Sequence, residues 1–302
     1  MSGGLRSRYA PARALRTLGL LVGIAATLAP TAASPAAASE DAHEASTSQA
    51  ARQDATRAIP LAKVAPEYRD AVQAVLADPS IFRRMPTSVV DCRPELFTFL
   101  AQNPEVLTSI WRQLGVSQVE LVRTGAASFD LRDNAGTTGK LYVVEQACDP
   151  AAQNRIVMYA EGSYEGKPFS KSVDARCVLL LRSGSVRETN GRYYVAARLD
   201  SFVKLDRTSL EIMAQVAHPF VGKTADRNFA DTLSFVSNLS YTAERKPQSI
   251  VDLAAELEQV EAPRRARLAS LAQECAAAGA AWERSRAQQA SAERPAARTL
   301  VR

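Results

Sequence analysis

Hydrophobic positions recur along this chain at two different periods, and the switches between them mark its elements. Tyr68, Val72, Val75 and Leu76 recur at steps of three and four residues and predict a helix. Leu96, Phe97, Phe99 and Leu100 predict a second, opened by Pro94. Val106, Leu107, Ile110, Trp111 and Leu114 predict a third, with Asn103 as a side-chain cap, Pro104 at the first helical position, Glu105 in the first turn and Gly115 as the stop.

From Ser117 the period falls to two. Val119 and Leu121 alternate with polar neighbours, as do Phe129 and Leu131. Leu141 to Val144 and Ile156 to Tyr159 are short β-rich runs, with Asp149, Pro150 and Asn154 marking the turn between them and Glu165 to Pro168 the next. Asn190-Gly191 separates a strand ending near Glu188 from the run Arg192 to Leu205, a pair suited to a two-residue type I′ hairpin. In that run Tyr193, Val195, Ala197, Leu199, Val203 and Leu205 share one face, and Arg192, Arg198, Asp200 and Lys204 fall on the other. A strand that long, roughly 45 Å, must coil around something.

After Leu205 the helical period returns. Thr208 and Glu211 read as a capping box before Leu210, Met213 and Ala217, ending near Pro219. A helix from about Thr224 or Asp226 carries Phe229, Leu233, Val236 and Leu239 on one side, and another from Ser249 carries Ile250, Leu253, Leu257 and Val260. The expectation is an α+β chain: a long, curved antiparallel sheet of about six strands, preceded by short helices and covered on one face by C-terminal helices.

Composition changes the picture mainly at the ends. Arg6, Arg8, Arg13 and Arg16 precede the apolar run Leu18 to Ala29, and Ala36 to Ala38 offers a small-residue cleavage site. That layout predicts a signal peptide over 1–38 and export to a periplasmic or extracellular compartment; Pro30 ends the apolar run at about a dozen residues, short of the roughly 18 to 20 a membrane span needs. Residues 39–60, rich in Ala, Ser, Thr and Gln, read as a flexible leader, 61–261 as the α+β domain, and 262–302 as an Ala/Arg-rich arm, partly helical and then disordered. The net charge of +5 resides in these ends. The body between them is mildly acidic, which removes the electrostatic support for nucleic-acid binding.

The order of these elements resembles the START-like, helix-grip superfamily, over about residues 94–243. The resemblance implies a curved sheet gripping a long C-terminal helix around an apolar cavity, and binding of a lipid or other apolar small molecule. It differs in placing a helix pair ahead of the whole sheet, where that superfamily has a leading strand.

Candidate chemistry is sparse. Ala217, Gly222, Lys223 and Thr224 fit a loose phosphate-loop pattern, but Leu210 to Val216 reads as helix where that loop needs a buried strand, so Gly222 reads as a helix stop and Thr224 as a cap. His43 and His218 are the two histidines, and His218 reads as a cation at a helix end. Cys92, Cys148, Cys177 and Cys275 match no metal or redox spacing, and their pairing in an oxidising compartment stays open. No catalytic residue, metal ligand or cofactor is expected. The candidate ligand contacts are Phe129, Tyr142, Tyr159, Tyr193, Phe202, Phe229, Leu233 and Val236, with the Arg-rich arm a possible contact for an anionic surface. The functions to weigh are an exported binding protein, a hydrolase or isomerase using polar groups of the same cavity, and a partner-binding module.

Overall fold

In the computed structural model, residues 44–149, 153–167, 169, 171–209, 211 and 221–292 are described. The predicted signal segment, both histidines and most of the 208–217 helix lie outside them.

The alternating segments form strands β3 (Glu120–Arg123), β4 (Ser128–Arg132), β5 (Thr137–Ala147), β6 (Asn154–Tyr164), β7 (Val173–Arg187) and β8 (Tyr193–Leu205), an antiparallel meander in which each pairs with the next. The sheet has two further strands, β1 (Ile81–Arg84) and β2 (Ser88–Val90), both paired with β8. A strand therefore does precede the helix pair, contrary to the sequence reading. Two pieces of four and three residues, separated at Pro86, were too short to show a period.

The β7–β8 hairpin closes differently from the expectation. Glu188 N–H donates to Arg192 O and Gly191 N–H donates to Glu188 O, both at 2.8 Å, so three residues form the loop and Gly191 takes the positive φ of 83°. This is a turn finished by a left-handed glycine rather than a two-residue hairpin.

One face of the sheet, the inner face, carries Leu121, Phe129, Leu141, Ala160, Cys177, Leu179, Val195, Ala197 and Val203. Helices α3 (Pro94–Gln102), α4 (Pro104–Gln113), α5 (Val221–Arg245), α6 (Pro247–Glu256) and α7 (Ala262–Ala292) pack there. Two local expectations change. Asn103 makes no side-chain cap; its Oδ1 instead accepts from Arg123 and Arg264, tying α4 to β3 and α7. Gly222 and Thr224 lie within α5, not between helices.

The outer face is covered as well, by α1 (Gln49–Ala58) and α2 (Pro66–Ala77), over Phe82, Val144, Val157, Tyr159, Val178, Leu180 and Phe202. Helices on one face only was the expectation. The unbroken apolar run Val178 to Leu181 carried the contrary signal, because a strand buried on both faces loses its alternation. Helix α1 falls inside the stretch read as a flexible leader. Its buried residues are Ala51 and Ala55, whose small side chains contribute little to hydropathy, and Ser48 caps it by accepting from Ala51 N–H at 3.1 Å. The Arg-rich arm is likewise packed at its start, where Leu268, Leu271, Ala272 and Cys275 are buried.

Candidate functional site

The eight aromatic and aliphatic residues expected to line one cavity are divided by the pleat. Phe129, Phe229, Leu233 and Val236 meet on the inner face, where α5 lies against the sheet. Tyr142, Tyr159 and Phe202 point to the outer face: Tyr142 and Tyr159 stack with centroids 6.1 Å apart and Tyr68 of α2 closes over both, while Phe202 packs on Phe82 at 4.9 Å. Tyr193 lies near the hairpin loop, with Arg93 and Arg187 over its ring. The reason is parity. Position 202 in β8 belongs with 198, 200 and 204, and the register carries that assignment across β7 and β6 to Tyr159. The predicted site is therefore two separate cores and one surface aromatic.

The open space lies elsewhere. Helices α1 and α2 cover only part of the outer face, and the end of the sheet beyond them holds a trough of about 900 Å³. Along one side run Asp130, Lys140, Glu161, Arg176 and Lys204, directly opposite one another from β4 to β8. Arg132, Thr138, Ser163, Asp174 and Asp206 line the other side. At about 4.8 Å per strand the row is roughly 19 Å long. Gly139, Gly162 and Ala175 form the floor between the rows. A Cβ on Gly162 would stand 2.3 Å from Thr138 O, so the close coiling of β5 on β6 requires glycine there.

The trough's charges are largely not spent on each other. Glu161 accepts from Tyr159 Oη at 3.0 Å, Lys204 reaches Asp78 at 3.1 Å, and Arg132 donates to Glu120. Among the described residues Asp130, Lys140 and Arg176 have no ion pair within 4.0 Å. Tyr159 is pushed well above the ordinary tyrosine range, by burial first and then by its bond to Glu161, so it stays a proton donor at the trough's edge. Asp206 also caps the 207–209 turn, accepting from Ser209 N–H at 2.6 Å, and Ser209 Oγ accepts from Asp174 N–H. The cap is thus Asp206, not Thr208.

Reactive groups are muted. All four cysteines are free thiols; burial pushes Cys177 and Cys275 up to about 12, and Cys92 higher still. The thiolate, which is the nucleophile, is strongly disfavoured in each. Among the described residues no group of three or more His, Cys, Asp or Glu is placed to hold a metal ion, and no helix is long and apolar enough to cross a membrane. Several arginines of the supposed arm are engaged within the chain: Arg264 with Glu105 and Glu261, Arg267 with Glu274, and Arg286 over the Trp282 ring.

No protein-family model matches the chain, and no curated protein matches it. Among solved structures it is similar to a conserved protein from Geobacillus kaustophilus, at 11% identity and a TM-score of 0.25, covering 48% of this chain and 93% of that one. Sequence reasoning missed the trough because each strand contributes one or two ordinary exposed charges; only the cross-strand register assembles them.

Proposed function

We propose that this is an exported binding protein whose ligand is a small polar molecule carrying charges of both signs, held across the open end of the sheet. The observation that carries the reading is the trough itself, in which Asp130, Lys140 and Arg176 stand in one row without ion-pair partners among the described residues. A ligand presenting an anion to Lys140 and Arg176 and a cation to Asp130 gains charge-assisted hydrogen bonds with side chains that have no ion pair among the described residues. Export is supported by the basic, apolar and small-residue order of the first 38 residues.

The order strand, helix pair, six-stranded meander and long helix supports the helix-grip resemblance as a proposal. With it comes a second reading, an apolar ligand or lipid between the inner face and α5. The observation weighing against a guest at the predicted contacts is that Phe129, Phe229, Leu233 and Val236 are buried within one packed core. Titration calorimetry with a zwitterionic Lys-Glu-Lys-Glu peptide tests the trough. Saturable binding is expected, weakened about tenfold by Arg176→Ala, the worth of one charge-assisted contact. Absence of binding, or binding unchanged in Arg176→Ala, contradicts the proposal.

A further inference from the structure

A second feature of the outer face lies at the opposite border of the helical cover and does not rest on the trough. Arg155, Arg182 and Arg198 face one another directly across β6, β7 and β8. Three arginines on neighbouring strands about 4.8 Å apart bring like charges together, which repel unless they are compensated. Arg155 is compensated by Glu145, through two bonds of 2.9 and 2.8 Å. Arg84, Arg182 and Arg198 share the other two carboxylates: Asp200 of β8, which is fully buried, and Asp54 of α1.

The sharing is uneven. Arg84 donates to Asp200 and Asp54 at 2.6 Å each, and Arg182 to the same two at 2.9 Å. Arg198 lies 3.5 Å from Asp54 and 4.0 Å from Asp200. The cluster therefore holds one more cation than anions. Its unused donors are Nε of Arg182 and Nε of Arg198, both buried and without a hydrogen-bond partner among the described residues. Burial, and then the charges of Arg182 and Arg84, push the Arg198 guanidinium below its ordinary range. A part-exposed guanidinium with a buried donor left without an acceptor, in a cluster with excess positive charge, favours an incoming anion.

Beside this surplus charge the face turns apolar. Gly184, Ala196 and Val89 form the next row toward the hairpin, followed by Val186 and Tyr194. Val89 is 64% exposed and Val186 56%, the two large hydrophobic side chains of the sheet that are left to solvent. Unpaired guanidinium donors at the end of an exposed apolar strip match a molecule with an acidic head and a greasy tail.

We propose that Arg182 and Arg198, together with the strip of Val89, Ala196, Val186 and Tyr194, bind a single-chain amphiphile through its anionic head. The head sits on the part-exposed guanidiniums of Arg182 and Arg198, and the chain lies over the valines toward the hairpin. Charge complementarity selects an anionic over a neutral head, and the strip selects an amphiphile over a free anion.

The test is titration calorimetry of the purified protein with dodecyl phosphate below its micellar concentration, alongside inorganic phosphate and the neutral dodecyl maltoside. One-to-one saturable binding of dodecyl phosphate is expected, at least tenfold tighter than either control. Arg198→Gln is expected to weaken it about tenfold, the loss of a charge-assisted bond. The double variant Val89→Ser with Val186→Ser, on the solvent-exposed strip, is expected to weaken it severalfold while leaving the circular dichroism spectrum unchanged. Arg176→Ala, in the trough, should leave it untouched, which separates this site from the proposed function. No saturable binding of dodecyl phosphate, equal binding of either control, or unchanged affinity in the valine double variant would overturn the proposal.

Discussion

Replacing two arginines of one cluster, Arg84 and Arg198, should have very different costs, and the difference follows from how closely each holds the two carboxylates. Arg84 is 12% exposed and holds the fully buried Asp200 at 2.6 Å, Asp54 at 2.6 Å and the carbonyl of Ala51 at 3.1 Å. Arg84→Gln leaves Asp200 to Arg182 and the distant Arg198. Breaking a buried pair from one side costs about 3 to 5 kcal/mol. For a domain of this size each kcal/mol is about 2 to 4 °C in Tm, so a loss of roughly 6 to 20 °C is expected. Arg198→Gln removes attractions at 3.5 and 4.0 Å but also the repulsion from Arg182 and Arg84, and its net effect should stay within about 1 kcal/mol. Urea and thermal denaturation at neutral pH and low salt, followed by circular dichroism, measure both. Equal destabilisation by the two variants would refute the idea that Arg198 is the surplus charge.

Three further outcomes are expected. Hydrogen bonds from Arg132 and then the charge and bonds of Arg112 hold Glu120 near about 2, while burial opposes and the bonds and charges of Arg182 and Arg84 prevail at Asp54, also near about 2. Both carboxyls are depressed, so their contribution is present above the ordinary carboxylate pKa and is lost as pH falls from about 4 toward 2; Tm against pH should drop across that window, and less steeply in Glu120→Gln. Truncation after residue 261 uncovers the partners of Leu268, Leu271 and Cys275, and should lower Tm by many degrees or give insoluble protein, whereas a detached arm would be removable without effect. A thiol reagent should label Cys148, the half-exposed cysteine, first, with Cys92, Cys177 and Cys275 reacting only on unfolding.

The middle of the chain was legible because its signals are local. Alternation at Phe129 and Leu131 and along Tyr193 to Leu205, and the apolar periodicity from Val106 to Leu114, correspond to β4, β8 and α4. What was lost depended on partners distant in sequence. Strand β1 is four residues of Ile81, Phe82 and two arginines, and it is a strand because β8 offers it a ladder. Helix α1 buries alanines, which hydropathy barely registers, on a face that the sequence reading took to be open. Tyr142, Tyr159 and Phe202 share aromatic type with Phe129 but have the opposite strand parity, which the pairing register rather than residue type reveals. Both proposed sites draw their charged residues from different strands brought opposite one another by register, so no single segment betrays either.

Occupation of the charged end of the sheet by a polar ligand can be observed residue by residue through amide chemical-shift mapping on isotopically labelled protein. On titration with the Lys-Glu-Lys-Glu peptide, the largest shifts should fall on the amides of Asp130, Lys140, Glu161, Arg176 and Lys204, and should vanish in the charge-reversed variant Lys140→Glu with Arg176→Glu. Shifts concentrated instead on Phe229, Leu233 and Val236 of α5, or none at saturating peptide, would contradict it.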